Sequence, residues 1–284
     1  MAISSARSLT KGRTAGAPLP RLAALTELHD GHFKFRFRQS EITLIASQPN
    51  SWKSGFALWL ASQFNVPTLY FCADSSAWTA STRLVAAYTG EPIASVAKGL
   101  REVGEGYYED VLADSPIRFC FDPNPTSDTI REELDAWVEM FDTYPQLIVV
   151  DNLMDVVGAG DNEFAAYKDV LLGLKTIARA TEASIIVLHH MTEASTDPYV
   201  PAPRKALMGK VAQTPENVLS VAMDEGEEQF LVSVVKHRSG PKDAQGKRYV
   251  TFRVHPDRNQ LEAAPVSVPF IAPPAEKWWE KEVA

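Results

Sequence analysis

The chain has 284 residues, 45% of them hydrophobic, and a formal net charge of −8 at pH 7. This composition supports one α/β core of roughly 230 residues, with the termini left as arms. No apolar run reaches the ~18 residues that a membrane span needs, and no signal-peptide segment is recognisable, so we expect a cytosolic protein without a membrane partner. The negative charge argues against broad electrostatic coating of nucleic acid but is compatible with a local basic channel.

The two ends of the chain differ in composition from its middle. Residues 1–20 are rich in Ser, Ala, Gly and Pro and carry basic side chains with almost no acid, which predicts a flexible basic arm. Residues 265–284 form a Pro-rich acidic tail that includes Trp278 and Trp279. These tryptophans either dock a protein partner or fold back onto the domain. We therefore predict one domain over residues 21–264.

Within this domain, buried strands alternate with helices. Such alternation is typical of an α/β fold with a mainly parallel central sheet flanked by helices, and the closely spaced last strands predict antiparallel additions at its C-terminal edge. Cys72 and Cys120 fall within predicted strands, which favours reduced core thiols over a disulfide or a metal site. The predicted strands cover 42–46, 68–72, 117–121, 147–151, 184–189, 217–223, 229–236 and 249–254, and the predicted helices cover 55–64, 77–88, 93–101, 127–141 and 163–180.

The first strand leads into a segment that matches a phosphate-binding loop at its end. A Walker A loop reads G-x-x-x-x-G-K-[ST]: backbone N–H groups wrap the phosphates, Lys reaches the β and γ oxygens, and the hydroxyl holds Mg²⁺. Lys53 and Ser54 keep this chemistry, whereas Ser47 and Trp52 stand at the glycine positions. The complete candidate nucleotide-binding loop is Ser47, Gln48, Pro49, Asn50, Ser51, Trp52, Lys53 and Ser54.

Trp52 is the residue in this loop that needs an explanation. The position before the Lys often has φ > 0, which costs a tryptophan about 1 to 2 kcal/mol before any contact with phosphate. Either the loop has a different shape or nucleotide binds weakly. A chance Lys-Ser pair after a buried strand is the alternative, and the strand-loop-helix context argues against it.

Asp151 is the second candidate in the nucleotide site. It follows four apolar residues, which places its carboxylate at the C-terminal end of a predicted central strand, where ligands of open α/β sheets bind. This is the pattern of a Walker B acid, which holds Mg²⁺ through its water shell. A strand that merely ends in Asp is common, but one that follows a Lys-Ser loop favours the paired interpretation.

Asp74 ends the strand that follows the loop, and Arg83-Leu84 stands nine residues later. With this pattern the chain resembles the DnaB-type helicases of the RecA superfamily, in which a Glu at this position polarises the attacking water. The resemblance implies that Asp74 is the general base. Because Asp is one methylene shorter than Glu, its contact to water is longer or misaligned, and we expect slow hydrolysis.

The resemblance extends over roughly residues 22–262. The strand that ends in His189 and His190 is similar to the one that ends in the family's polar sensor, which implies that His190 senses the γ-phosphate. Neighbouring strand residues point to opposite faces, so the two histidines are poorly placed to share a metal. Packing at the strand end is the alternative role for the pair.

A Gly-containing segment, Met208 to Gln213, also resembles the family and follows the polar loop 191–205. The resemblance implies that DNA passes this loop and the turn 157–162. The cations available there for DNA binding are Arg204, Lys205 and Lys210.

The late segment Val234-Val-Lys-His-Arg-Ser-Gly-Pro241 resembles the family's Lys-x-Arg-x-Gly-Pro element. Lys236 and Arg238 are two residues apart on a predicted strand and so project from one face. The resemblance implies that both reach the neighbouring subunit's γ-phosphate, as an arginine finger supplied in trans. A surface salt-bridge pair is the alternative.

Taken together, the resemblance implies a RecA-like P-loop NTPase core that forms a ring, expected to be a hexamer, and uses ATP and Mg²⁺. The implied function is an ATP-dependent motor on single-stranded DNA in replication or recombination. The helical N-terminal domain of cellular replicative helicases is not recognisable, as expected for a compact phage or plasmid motor acting in the host cytoplasm. Two alternatives stay open: a hydrolysis-impaired DNA-binding ring or scaffold, and a nuclease using the acids near Asp151 and Asp155.

Overall fold

The computed structural model describes residues 16–192 and 197–264. Its strands form one sheet with the order β3-β2-β4-β5-β1-β6-β7-β8-β9, in which neighbours are hydrogen-bonded. The strands are β1 (Ile42–Ser47), β2 (Thr68–Cys72), β3 (Ile117–Cys120), β4 (Leu147–Asp151), β5 (Ser184–His190), β6 (Asn217–Asp224), β7 (Gln229–His237), β8 (Val250–His255) and β9 (Gln260–Ala263).

The direction of the strands confirms the predicted α/β class. Across the sheet from β3 through β2, β4, β5 and β1 to β6, every pair of neighbouring strands is parallel. The pairs β6–β7, β7–β8 and β8–β9 are antiparallel. Strand β9 was not predicted, because Leu261 is the one side chain in its sequence Gln-Leu-Glu-Ala that is both large and buried.

Helices cover both faces of the sheet. The five predicted helices are present, together with two five-residue helices that are too short to produce a periodic pattern in the sequence. Side-chain oxygens of Ser76, Thr126 and Asn162 accept hydrogen bonds from backbone N–H groups at three helix starts, each contributing about 1 kcal/mol. The helices are α1 (Thr26–Asp30), α2 (Lys53–Phe64), α3 (Ala77–Thr89), α4 (Ile93–Glu102), α5 (Glu109–Ala113), α6 (Ser127–Phe141) and α7 (Glu163–Thr181).

The alternation of side chains along the central strands separates two hydrophobic layers. Val149 of β4 belongs to the cluster that includes buried residues of α2 and α3. Its neighbours Ile148 and Val150 belong to the cluster that includes buried residues of α6 and α7. Because both faces of β4 are covered, the strand is continuously apolar up to Asp151, as parallel strands generally are.

At the N-terminal boundary, Leu19 is buried and its N–H donates to the carbonyl of Phe37. Residue 19 therefore packs on the same core as the predicted domain, whose boundaries stay predictions. Residues 1–15 and 265–284 lie outside the described residues, so the basic arm and the C-terminal tail stay predictions. Cys72 and Cys120 are both free, the first buried and the second half-buried. None of the described helices is long and apolar enough to cross a membrane.

Candidate nucleotide-binding site

The carboxyl ends of β1, β5 and β4 bring the predicted site residues to one edge of the sheet. Ser47, the last residue of β1, is in register with His190, the last residue of β5. Asp151 ends β4, the next strand along. The loop after β1 therefore faces the ends of β4 and β5, the usual ligand-binding edge of an open α/β sheet.

The loop has two left-handed residues, Asn50 with φ 61° and Trp52 with φ 57°. Asn tolerates this region, whereas Trp rarely occupies it. The sequence-based expectation of a positive φ at Trp52 is confirmed. The carbonyl of Trp52 accepts a hydrogen bond of 2.9 Å from the N–H of Phe56, so helix α2 starts directly behind the loop. Its first helical residue is Lys53.

Four side chains form the centre of the site. Ser54 donates a hydrogen bond of 3.0 Å from Oγ to Oδ1 of Asp151. The ammonium of Lys53 lies 3.5 Å from Nε2 of His190. Lys53 and Asp151 are both largely buried, so the hydrogen bond from Ser54 to Asp151 lies in a poorly solvated environment.

Burial shifts the pKa values of Asp151 and Lys53 in opposite directions. It raises the pKa of Asp151 to about 6, although the Ser54 hydrogen bond and the charge of Lys53 act against the shift. It lowers the pKa of Lys53, and the carboxylate of Asp151 is the strongest opposing influence. The charge of each group therefore opposes the pKa shift that burial causes in the other.

Tyr70 of β2 is a site residue that sequence reasoning missed. Its hydroxyl donates a hydrogen bond of 3.2 Å to Oδ2 of Asp151, so both carboxylate oxygens have a donor. Burial raises the pKa of Tyr70 well above its ordinary value, which keeps the phenol protonated. The contact depends on the pairing of β2 with β4, which places Cys72 opposite Asp151.

Two further acids surround the pair. Asp74, just after β2, is exposed. Its negative charge acts to raise the pKa values of both Asp151 and Lys53. Asp155 accepts a hydrogen bond of 3.2 Å from the N–H of Asn152, and burial raises its pKa. Asp74 is thus within electrostatic range of the centre and open to water.

The two histidines at the end of β5 have different surroundings. His190 faces Lys53, and burial together with the Lys53 charge lowers its pKa. His189 points to the other face, where its Nε2 lies 3.2 Å from the carbonyl of Met208 and its ring packs edge-on against Tyr167. Burial lowers the pKa of His189 to about 4. The expected opposite orientation is observed.

The donor atoms fit magnesium held together with nucleotide. Mg²⁺ is commonly bound by one or two carboxylates with water and substrate phosphates rather than by an all-protein cage. Ser54 and Asp151 offer such a hydroxyl and carboxylate side by side. Over residues 16–192 and 197–264, no group of three or more His, Cys, Asp or Glu side chains could hold a metal ion by itself.

Lys236 and Arg238 lie at the opposite edge of the sheet. His237, between them, is in register with Asn217, which in turn is level with Thr43 near the start of β1. Thr43 is four residues before Ser47, or roughly 13 Å along the strand. Neither side chain of this strand end is therefore placed at the phosphate loop of its own subunit.

Both residues have partners within the chain. The ammonium of Lys236 donates to the carbonyls of Ala212, Gln213 and Pro215, at 2.7, 3.1 and 2.5 Å. Contact with a neighbour's phosphate would require Lys236 to exchange these bonds.

Arg238 donates a bond of 2.9 Å to Oε1 of Glu216, which also pairs with Lys175 at 2.7 Å. Burial opposes ionisation of Glu216, but its hydrogen bonds from Lys175 and from the N–H of Ile42 prevail and lower its pKa. Sequence reasoning missed this network, because Glu216 has no local pattern.

The predicted DNA-facing cations are only partly described. Arg204 and Lys205 are exposed in the short 3-10 helix Arg204–Ala206. The side chain of Lys210 lies outside the described residues, as do residues 193–196 of the preceding loop. This segment follows β5 and so begins at the same edge of the sheet as the phosphate loop.

The model of the AAA domain family matches residues 33–195, more than half of the chain. The chain belongs to this family. The Gene 65 protein of Mycobacterium phage L5 is 33% identical to this AAA domain protein over 258 residues, which cover 87% of this chain and 94% of the phage protein. The Gene 65 protein of Mycobacterium phage D29 is also 33% identical, over 78% of this chain and 98% of its own length.

A more distant similarity links this AAA domain protein to helicases. The replicative DNA helicase DnaB of Treponema pallidum is 26% identical over 78% of this chain and 51% of the helicase. The solved structure of a DnaB-like replicative helicase has the same fold, with a TM-score of 0.72 at 14% identity, over 90% of this chain and 64% of that chain. The chain therefore shares the fold of this DnaB-like helicase.

Proposed function

We propose that this protein is an ATP-dependent motor that acts on single-stranded DNA in replication or recombination. The observation that supports it best is the Ser54–Asp151 hydrogen bond beside Lys53, because a hydroxyl, a carboxylate and an ammonium at the carboxyl edge are the groups that a Mg²⁺-nucleotide needs. The similarity to the T. pallidum DnaB helicase supports a replicative, helicase-like role. The phage relatives support a phage-type protein.

In this proposal each residue at the centre has one task. Lys53 binds the β and γ phosphates, with backbone N–H groups of residues 47–54, all but Pro49, around them. Ser54 and Asp151 would hold Mg²⁺, and the bound ion would neutralise charge on the phosphates. Tyr70 keeps the Asp151 carboxylate oriented towards Ser54.

Asp74 orients the attacking water as general base, and its exposure and short side chain make hydrolysis slow. His190, next to Lys53, detects the γ-phosphate. Its lowered pKa keeps the imidazole neutral at pH 7, so it acts by hydrogen bonding rather than by charge.

Completion of the site requires a second subunit. Arg238, with Lys236 beside it, reaches the neighbour's γ-phosphate in a ring, which we propose to be a hexamer. The basis for this is their location at the far edge of the sheet, roughly 13 Å from their own loop along the strand direction. DNA would pass Arg204, Lys205 and Lys210, and the C-terminal tail would bind a protein partner.

Lys53→Ala is the direct test of this proposal. We expect the variant to lose nucleotide binding and ATP turnover while keeping its fold, because Lys53 contacts phosphate rather than the hydrophobic core. Turnover is measured with and without single-stranded DNA, and circular dichroism monitors the fold. Lys98→Ala is the matched control, since Lys98 is exposed on α4 and pairs only weakly with Glu102 at 3.9 Å. Unchanged turnover in Lys53→Ala would reject the Walker A assignment.

The same measurements separate the alternatives. A DNA-binding scaffold would bind single-stranded DNA without any ATP turnover in the unmodified protein. A nuclease would cleave DNA in the absence of ATP.

A further inference from the structure

The indole of Trp52 lies directly on Gly55, one turn into helix α2. A Cβ atom at Gly55 would be 2.2 Å from Nε1 and 2.4 Å from Cε2 of the indole. Real Cβ atoms do not approach other atoms so closely, and the indole is too rigid to bend away. Any residue larger than glycine at position 55 would therefore displace Trp52.

Phe230 of β7 holds the other side of the indole. The two rings meet edge to face, with centroids 5.4 Å apart and planes at 83°. Phe230 is fully buried and also packs against Phe56, at 4.9 Å between centroids. Such edge-to-face pairs contribute about 0.5 to 1.5 kcal/mol beyond the area they bury. The indole is thus fixed between a helix and a strand.

The order of the strands places the contact between Trp52 and Phe230 away from the residues that would bind phosphate and Mg²⁺. β7 lies on one side of β1, beyond β6, whereas β5 with His190 and β4 with Asp151 lie on the other side. Lys53 and Ser54 point towards His190 and Asp151. The indole packs in the opposite direction, away from the groups that would bind phosphate and Mg²⁺.

We propose that Trp52, Gly55 and Phe230 form a clamp that holds the loop in its left-handed turn. Gly55 leaves room for the indole, and so permits the left-handed backbone that a glycine at position 52 would usually permit. Trp52 is then a positioning residue of a functional nucleotide site, not a plug that closes it. The inference rests on the proposed function only in assuming that the loop binds nucleotide.

A double-mutant cycle on Gly55→Ala and Trp52→Gly tests the clamp. Affinity for Mg²⁺-ATP and the thermal unfolding midpoint are measured for the full chain, both single variants and the double variant. We expect Gly55→Ala alone to weaken ATP binding about tenfold or more, because its methyl group displaces the indole. In the Trp52→Gly background the same change should alter affinity by less than about twofold, since no indole is present.

Gly173→Ala in α7 is the matched control, because it also adds a methyl group to a helical glycine. Its nearest neighbour would be the rotatable Oγ of Ser127 at 3.2 Å, so ATP affinity should not change.

The outcomes distinguish the clamp from the proposed function. If the unmodified protein binds no ATP, the proposed function fails and the clamp has no role in nucleotide binding. If it binds ATP but Gly55→Ala has the same effect in both backgrounds, the clamp alone is refuted. Should Gly55→Ala fail to fold, recovery of folding and ATP binding in the double variant supports the clamp, and no recovery refutes it.

Discussion

The variant Arg238→Ala distinguishes a structural role of Arg238 from a catalytic one, because the two roles predict effects of very different size on stability and on ATP turnover. Within the chain, Arg238 makes one ion pair, 2.9 Å long, with Glu216, and its side chain is 61% exposed. Its partner Glu216 is only 6% exposed, so this half-exposed pair should contribute about 1 kcal/mol, the upper end for surface pairs. Glu216 would keep its bonds from Lys175 at 2.7 Å and from the N–H of Ile42 at 3.1 Å. The variant should therefore fold with nearly unchanged stability.

As a finger in trans, Arg238 would matter far more. Arginine fingers accelerate phosphoryl transfer by about 10³ to 10⁵, or roughly 4 to 7 kcal/mol of transition-state stabilisation. We expect Arg238→Ala to lose ATP turnover on this scale while nucleotide affinity changes little, because its own phosphate loop is intact. The two roles differ by several kcal/mol, so one variant distinguishes them.

The assay combines ATP turnover, nucleotide affinity and thermal unfolding, and adds mixtures of Arg238→Ala with Lys53→Ala protein. In a mixture, an intact loop from one subunit can face an intact finger from the other, so turnover should be partly restored. Arg253→Ala is the matched control, since Arg253 is 57% exposed and also makes one ion pair, with Glu228 at 3.3 Å. Turnover of Arg238→Ala within about threefold of normal, or no rescue at any mixing ratio, would refute action in trans.

Two further predictions concern stability and the loop. His189 has a folded-state pKa of about 4, below the ordinary 6.5, so the unfolded chain takes up a proton first as the pH falls. The contribution of His189 to folding stability should decrease by up to about 3 kcal/mol between pH 6.5 and 4, whereas the raised pKa of Asp151 acts in the opposite direction over this range. Urea denaturation isolates the His189 contribution, because the free energy of unfolding of the unmodified protein relative to that of His189→Gln should decrease as the pH falls. Trp52→Gly should keep ATP affinity within about twofold, because glycine adopts φ > 0 without the clamp, while losing up to about 3 kcal/mol of stability through the void beside Phe230. A fall in affinity without a loss of stability would instead show that the indole takes part in binding.

The sequence was sufficient for the features that depend on local pattern. Strands such as β4 are continuous apolar runs because both faces of the sheet are covered. The bounds of eight strands, predicted from local patterns, agree with the structure to within one residue at each end. Lys53 and Ser54 follow β1 directly, and Asp151 ends an apolar strand, so motif spacing identified them. The period of two along β5 correctly assigned His189 and His190 to opposite faces.

The features that escaped prediction all depend on which strands are neighbours. Tyr70 reaches Asp151, 81 positions later in the chain, only because β2 and β4 pair. Glu216 accepts a bond from the N–H of Ile42, 174 positions earlier. Phe230 meets Trp52 across the width of β6, which no periodicity in either segment indicates. Such contacts become visible only once strand order and register are known.

Strand β7 shows why the site needs more than one copy of the chain. Its second residue, Phe230, packs against Trp52 of the phosphate loop, the strand runs antiparallel to β6, and Arg238 follows its last residue. The seven steps from Phe230 to His237 span roughly 23 Å of strand, and the pairing with β6, which contains one bulge, keeps the two ends of β7 at opposite edges of the sheet. Arg238 is therefore held away from its own loop by the same element that packs on that loop. If Arg238 contacts a γ-phosphate, as we propose, that phosphate belongs to another subunit, and assembly becomes a condition of turnover.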